Sequence, residues 1–187
     1  MKITALLSVS AALVCGTAQA QPTPMAPMTP MSPMAPATEQ IRTYGSATAP
    51  FASTITTPSG YDTIYVAGRV ASPATPATTT SPAVYGNTEQ QVDAILTRIE
   101  ADLHDQGASL GDVVSMVVYL VGDPALGGRM DFAGMNAAYA RRFGPPAQPN
   151  RPVRTTVQIV ALAGPGLLAE ITVIAARPAQ ARTRPAS

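Results

Sequence analysis

Two strand-length apolar runs near the C-terminus, 153–162 and 168–175, carry one formal charge each, Arg154 in the first and Glu170 in the second. Their aliphatic and β-branched residues predict two strands, and Pro165-Gly166 between them predicts a turn that joins them as a β-hairpin. A charged side chain on a rigid strand beside a core is either paired or used on a ligand. Arg154 and Glu170 are therefore expected either to neutralise each other as a partly buried pair or to form a site.

Upstream, the pattern alternates between strand and helix. Arg42 to Tyr44 reads as a short edge strand. Phe51 to Thr57 and Tyr61 to Ala67 flank Pro58-Ser59-Gly60 and read as a hairpin. Ala71 to Val84, rich in Ala, Thr, Ser and Pro without periodicity, reads as a loop. Val92, Ile95, Leu96, Ile99 and Leu103 recur at helical spacing. Asn87 or Thr88 is placed to cap that helix, Gln90 or Gln91 to complete a capping box, and Gly107 to stop it. The nearly continuous apolar run from Asp112 to Val121 predicts a central strand covered by helix. A second helix is expected from Met130 to Phe143, burying Met135, Ala138, Tyr139 and Phe143, with Gly144 ending it. The order strand, strand, helix, strand, helix, strand, strand argues for an α+β sandwich, helices on one sheet face and the other face needing a cover.

The ends have a different character. Lys2, the apolar run from Ile3 to Val14 and the small-x-small site Ala18-Gln19-Ala20 predict a signal peptide over residues 1–20. Bulky Val14 before Cys15 argues against a lipidated cysteine, and the apolar run is too short for a membrane span. Cleavage after Ala20 leaves 167 residues, removes the only lysine and cysteine, and takes the net charge from +1 to 0. The mature chain is then expected in the periplasm or outside the cell, without stable membrane insertion, thiol nucleophile, Schiff-base lysine or disulfide. Charges this balanced and interspersed give no footprint for nucleic acid. Residues 21–41 form a Pro/Met-rich linker expected to favour polyproline II, with Met25, Met28, Met31 and Met34 every third residue. Such thioethers could hold Cu(I), although a plain spacer is the favoured reading. Residues 178–187 read as a disordered tail, leaving 42–177 as one folded domain.

Pro152-Val153-Arg154-Thr155, an apolar Val157, small or apolar Ala161 and Leu162, and Leu168-Ala169-Glu170-Ile171 after a turn resemble the signature of the RidA (YjgF/YER057c/UK114) family of reactive-intermediate deaminases. The resemblance extends through Tyr65-Val66-Ala67-Gly68-Arg69, Gly111-Asp112-Val113, Met135-Asn136-Ala137-Ala138-Tyr139 and Phe143. It implies a chorismate-mutase-like single-domain fold, a mixed sheet packed with two helices, assembling as a homotrimer with ligand clefts between subunits. It implies an imine/enamine deaminase, a hydrolase that converts 2-imino or enamino acids such as 2-aminoacrylate to 2-oxo acids and ammonia. Arg154 then grips the substrate carboxylate and Glu170 positions or activates water. Gly68 and Thr156 offer backbone to the cleft, Phe51 lines it, and Asn136 organises it. Positioning and a watched water suffice for an electrophilic imine, so no metal or organic cofactor is expected.

This chain departs from the best-studied deaminases in having Phe51 where they commonly have tyrosine and Ala67 where they have serine, which removes two hydroxyls near the substrate. A non-enzymatic small-carboxylate-binding trimer of the cell envelope is the alternative these departures leave open. Arg151 lies in a Pro149-Asn150-Arg151-Pro152 turn and is expected to face solvent. His104, the sole imidazole, is expected on the helix surface; alone it makes neither a zinc cluster nor, with Ser115, a hydrolase triad.

Overall fold

The computed structural model describes residues 40–144, 146 and 148–179. The leader, nearly all of the Pro/Met segment and most of the C-terminal tail lie outside the described residues. Six strands and two helices follow in the order β1 (Arg42–Tyr44), β2 (Thr54–Thr56), β3 (Tyr61–Val70), α1 (Thr88–Asp105), β4 (Val113–Val121), α2 (Phe132–Arg142), β5 (Val153–Ile159) and β6 (Ala169–Pro178). The expected α+β architecture is present: a mixed four-stranded sheet, ordered β3-β6-β4-β5, whose core is shared with buried residues of both helices.

Local chemistry sets the helix ends. Asn87 Oδ1 accepts from the Gln90 amide at 2.9 Å and Gln90 Oε1 accepts from the Asn87 amide at 3.0 Å, so the capping box uses the first of each predicted pair. Gly107, at φ 68, turns the chain after α1. Val92, Ile95, Leu96, Ile99 and Leu103 are all buried, as are Met135, Ala138, Tyr139 and Phe143 around α2. The two helices are further joined on their polar side by Arg142 to Asp93 at 3.3 Å and to Glu100 at 3.0 Å.

Strand periodicity divides the sheet between two environments. Met116, Val118 and Leu120 of β4, with Ala169, Ile171, Val173 and Ala175 of β6, are buried in the helix-side core. The alternate residues, including Val117, Tyr119, Glu170 and Thr172, therefore project from the other face. No element among the described residues packs over that second face, and Tyr65 of β3 is 77% exposed there.

Two strand pairings differ from the sequence expectation. β2 does not form a hairpin with β3; it pairs antiparallel with β1, Thr43 opposite Ile55. Gly60, at φ 83, instead presents its carbonyl to the Ala179 amide at 2.8 Å, which ties the turn to the end of β6. β3, with Ile64 and Val66 toward the core, gains far more by pairing along the length of β6 than Thr54-Ile55-Thr56 could offer. Nor do β5 and β6 form a hairpin. α2 carries the chain from β4 to a parallel neighbour, β5, and β6 then crosses to the opposite side of β4. A strand as apolar as β4 is satisfied only with a partner on each edge.

Gln91, fully buried, fastens α1 to the start of β6. Its Nε2 donates to the carbonyls of Gly86 at 3.0 Å and Gly166 at 2.9 Å, and its Oε1 accepts from the Leu168 amide at 2.9 Å. Gln91→Leu keeps the volume but leaves these three backbone groups without their partner. It is expected to lower unfolding stability by about 2 kcal/mol or more in urea titrations run at matched protein concentration.

Candidate active site

Arg154 leaves β5 on the helix side, in register with core residue Met116, and reaches the flank of α2. Its Nη2 donates to Asn136 Oδ1 at 2.8 Å and its Nη1 contacts Met135 Sδ at 3.7 Å. Three aromatic rings surround the guanidinium: Tyr139 at 4.3 Å from ring centroid to Cζ, Phe51 at 5.1 Å and Phe132 at 6.0 Å. Phe51 is held there because the Ala52 amide donates to the Pro152 carbonyl at 3.0 Å, docking the loop before β2 onto the start of β5. Tyr139 is in turn stacked on Phe143, 4.8 Å between centroids.

Arg154, Asn136, Phe51, Phe132, Tyr139 and Phe143 line a cleft of about 540 Å³, a size suited to a small molecule, and no carboxylate of the described residues is among its walls. Arg154 is half-buried yet makes no ion pair among the described residues. Burial lowers its pKa, and the coulombic influence of Tyr139 acts the other way without cancelling it. Burial also pushes the Tyr139 phenol up to about 12, so it stays protonated at neutral pH, even though Arg154 and Arg151 both favour its anion. A guanidinium with five N–H donors, few of them engaged, in an aromatic setting without a counter-ion among the described residues is suited in chemistry to a planar anion.

Glu170 occupies a different place. It sits on β6 opposite Tyr119 of β4 and Val70 of β3, on the sheet face away from the helices. Its carboxylate lies over Gly68, within a bulge between Val66 and Arg69 where the β3–β6 register shifts. A Cβ at Gly68 would run into Glu170 Oε1. The glycine therefore leaves the space that the carboxylate occupies, and Ala67 beside it is exposed. Arg154 and Glu170 thus neither lie across a hairpin nor pair: β4 separates their strands and they project from opposite faces. The neutralised-pair reading is excluded for the single chain.

Of the other residues singled out from sequence, Phe51 and Asn136 join Arg154 in the cleft and Gly68 joins Glu170. Thr156 shares the helix-side face with Arg154, two residues along edge strand β5, and its buried hydroxyl has no partner among the described residues. His104 is exposed, as expected. Arg151 was expected in solvent but lines the cleft, because Nη1 donates to the Ala47 carbonyl at 2.8 Å and the side chain folds over Gly144. Tyr139 and Phe132 were legible as helix residues and not as cleft walls.

Comparison with known proteins gives the family of the chain. The family model described as Endoribonuclease L-PSP matches residues 44–177. A RutC family protein of Pyrococcus abyssi is 35% identical over 96 residues, 51% of this chain and 65% of that protein, so the match spans somewhat less than two thirds of the relative. Among solved structures, a protein of unknown function of the conserved Rid family, YyfB from Yersinia pestis, is similar with 26% identity and a TM-score of 0.54, covering 72% of this chain and 97% of that one. Rv2704 of Mycobacterium tuberculosis, a member of the YjgF/YER057c/UK114 family, has 26% identity and a TM-score of 0.46, covering 73% and 98%. With the family model spanning the sheet, both helices and the cleft, the chain belongs to the YjgF/YER057c/UK114 (RidA) family.

Proposed function

We propose that the protein hydrolyses reactive 2-imino and enamino acids, such as 2-aminoacrylate, to 2-oxo acids and ammonia, in a cleft completed between subunits of a homotrimer. The observation that carries this reading is Arg154, half-buried among aromatic rings without a carboxylate partner among the described residues. An isolated buried charge costs several kcal/mol, and a ligand carboxylate gripped at two points offsets that cost. An enamino acid first takes a proton from solvent at its terminal carbon and becomes the imine, whose C=N carbon is electrophilic. Glu170 takes a proton from water as its oxygen adds to that carbon, the nitrogen is protonated, and the carbinolamine expels ammonia to leave the oxo acid.

Because Arg154 and Glu170 project from opposite faces of one sheet, a single chain does not bring both to one small substrate. A neighbour whose Glu170 face meets this chain's Arg154 cleft does so, and also covers the open sheet face that exposes Tyr65. Export to the periplasm or beyond is part of the same proposal, on the strength of the leader-like residues 1–20. The ribonucleolytic name of the family model is harder to reconcile with this cleft: the sole histidine, His104, is exposed on α1 and does not line it. Phe51 and Ala67 supply no hydroxyl, which favours carboxylate binding without turnover as the second reading.

Ammonia release is measured with imino acids generated in situ by an amino-acid oxidase. Arg154→Ala and Glu170→Gln are each expected to lower the enzyme-dependent rate at least about a hundredfold. Mixing the two inactive variants under subunit-exchange conditions is expected to restore about a quarter of the sites, since one variant supplies Arg154 and the other Glu170; no recovery despite demonstrated exchange would sink the intersubunit cleft. Binding of 2-oxo acids with no acceleration by wild type would favour the second reading. Gly68→Ala, which displaces the Glu170 carboxylate, is expected to cost about a hundredfold in kcat while carboxylate binding at Arg154 changes little.

A further inference from the structure

The described part of the chain holds five half-buried arginines, and their partners sort them into two groups. Arg69, Arg142 and Arg177 face carboxylates, of Asp102, of Asp93 and Glu100, and of Asp62. Arg151 and Arg154 face none among the described residues, and these are the two that line the cleft. We propose that Arg151 is a second carboxylate-binding position, so that the preferred ligands of the cleft are dicarboxylic: 2-imino or 2-oxo acids of four or five carbons with an acidic far end. The imino half of this inference rests on the deaminase reading; the dicarboxylate half rests on the two arginines alone.

Arg151 is held in place. Its hydrogen bond to the Ala47 carbonyl ties it to the loop that also carries Phe51, and Gly144, at φ 103, leaves room that a Cβ would take from the Nε and Nη2 atoms. That bond occupies one of five N–H donors and neutralises no charge. Three positions of chain separate Arg151 from Arg154, at most about 10 Å of backbone, and both guanidiniums act on the same Tyr139 phenol. Two like charges around one aromatic cleft repel each other when it is empty. A dianion relieves that repulsion, whereas a monocarboxylate with an apolar tail leaves Arg151 unmatched beside it.

The matched probes are 2-oxoglutarate and 2-oxopentanoate, equal in chain length and different only in a terminal carboxylate or methyl, bound to the full mature protein and followed by calorimetry at low ionic strength. Wild type is expected to favour 2-oxoglutarate by at least about tenfold. Arg151→Gln, which can still donate to Ala47, is expected to bring the ratio near one, Arg151→Glu to invert it, and Arg151→Lys to retain a preference. The ratio is taken within one preparation, so a misfolded fraction reduces both bindings without altering it. Equal affinity in wild type, or an unchanged ratio in Arg151→Gln and Arg151→Glu, would overturn the inference. Turnover of the imines made from glutamate and norvaline separates the two claims. Hydrolysis of both at equal kcat/KM in wild type and Arg151→Gln overturns the role of Arg151 and leaves the deaminase reading intact. The 2-oxoglutarate preference without hydrolysis of either imine overturns the deaminase reading and supports the role of Arg151.

Discussion

The register of β6 between β3 and β4 is the constraint on which the remaining geometry depends. With Ala169, Ile171, Val173 and Ala175 committed to the helix-side core, the period of two sends Glu170 and Thr172 to the opposite face. A slip of one residue would bury Glu170 under α1 and expose Ile171, at the cost of an unpaired buried carboxylate and of lost apolar burial together. The same register opens the bulge at Ala67-Gly68 in β3, since the mismatch between Val66 and Arg69 is absorbed opposite the start of β6. Gln91 secures that start from α1, so the helix cap, the β5–β6 connection and the position of Glu170 form one mechanical chain.

The cleft is built on the other side of the sheet by a separate set of commitments. α2 packs its Met135, Ala138 and Tyr139 stripe into the core, and this turns Asn136 outward to meet Arg154. The aromatic rings around Arg154 soften its desolvation without discharging it. Stability alone would be better served by an apolar residue or by a carboxylate partner such as Arg69 and Arg142 have nearby. Retaining in one cleft two guanidiniums that no carboxylate of the described residues matches is the kind of local cost that function explains and packing does not.

Much of the secondary structure was legible in the sequence because its causes are local. The Asn87-Gln90 capping box, Gly107, and the stripes of α1 and α2 each act over a turn or two of chain. The β4 run announced a central strand because a strand with partners on both edges and helix cover can bury Val113, Met116, Val118 and Leu120. Arg154 and Glu170 stood out because single charges on apolar strands are conspicuous. What misled was the turn at Pro165-Gly166: a turn signal gives a reversal of direction and not the identity of the neighbour, and the parallel βαβ crossover had already filled the place beside β4. The reading of Phe51 to Thr57 as a partner for β3 erred in the same way, since a short polar strand cannot compete with β6.

The sequence by itself determined the helices, the strands, the two conspicuous charges on apolar strands and the family to which the chain belongs. Tertiary structure alone decided which strands are neighbours, that Arg154 and Glu170 look away from each other, and that Arg151, with its ordinary turn context, shares a cleft with Arg154. The physical reason is range. Capping and periodicity are set by neighbours within about four residues, whereas strand pairing, the bulge at Gly68 and the 104-residue separation between Ala47 and Arg151 are settled only when distant segments compete for the same edge or the same carbonyl.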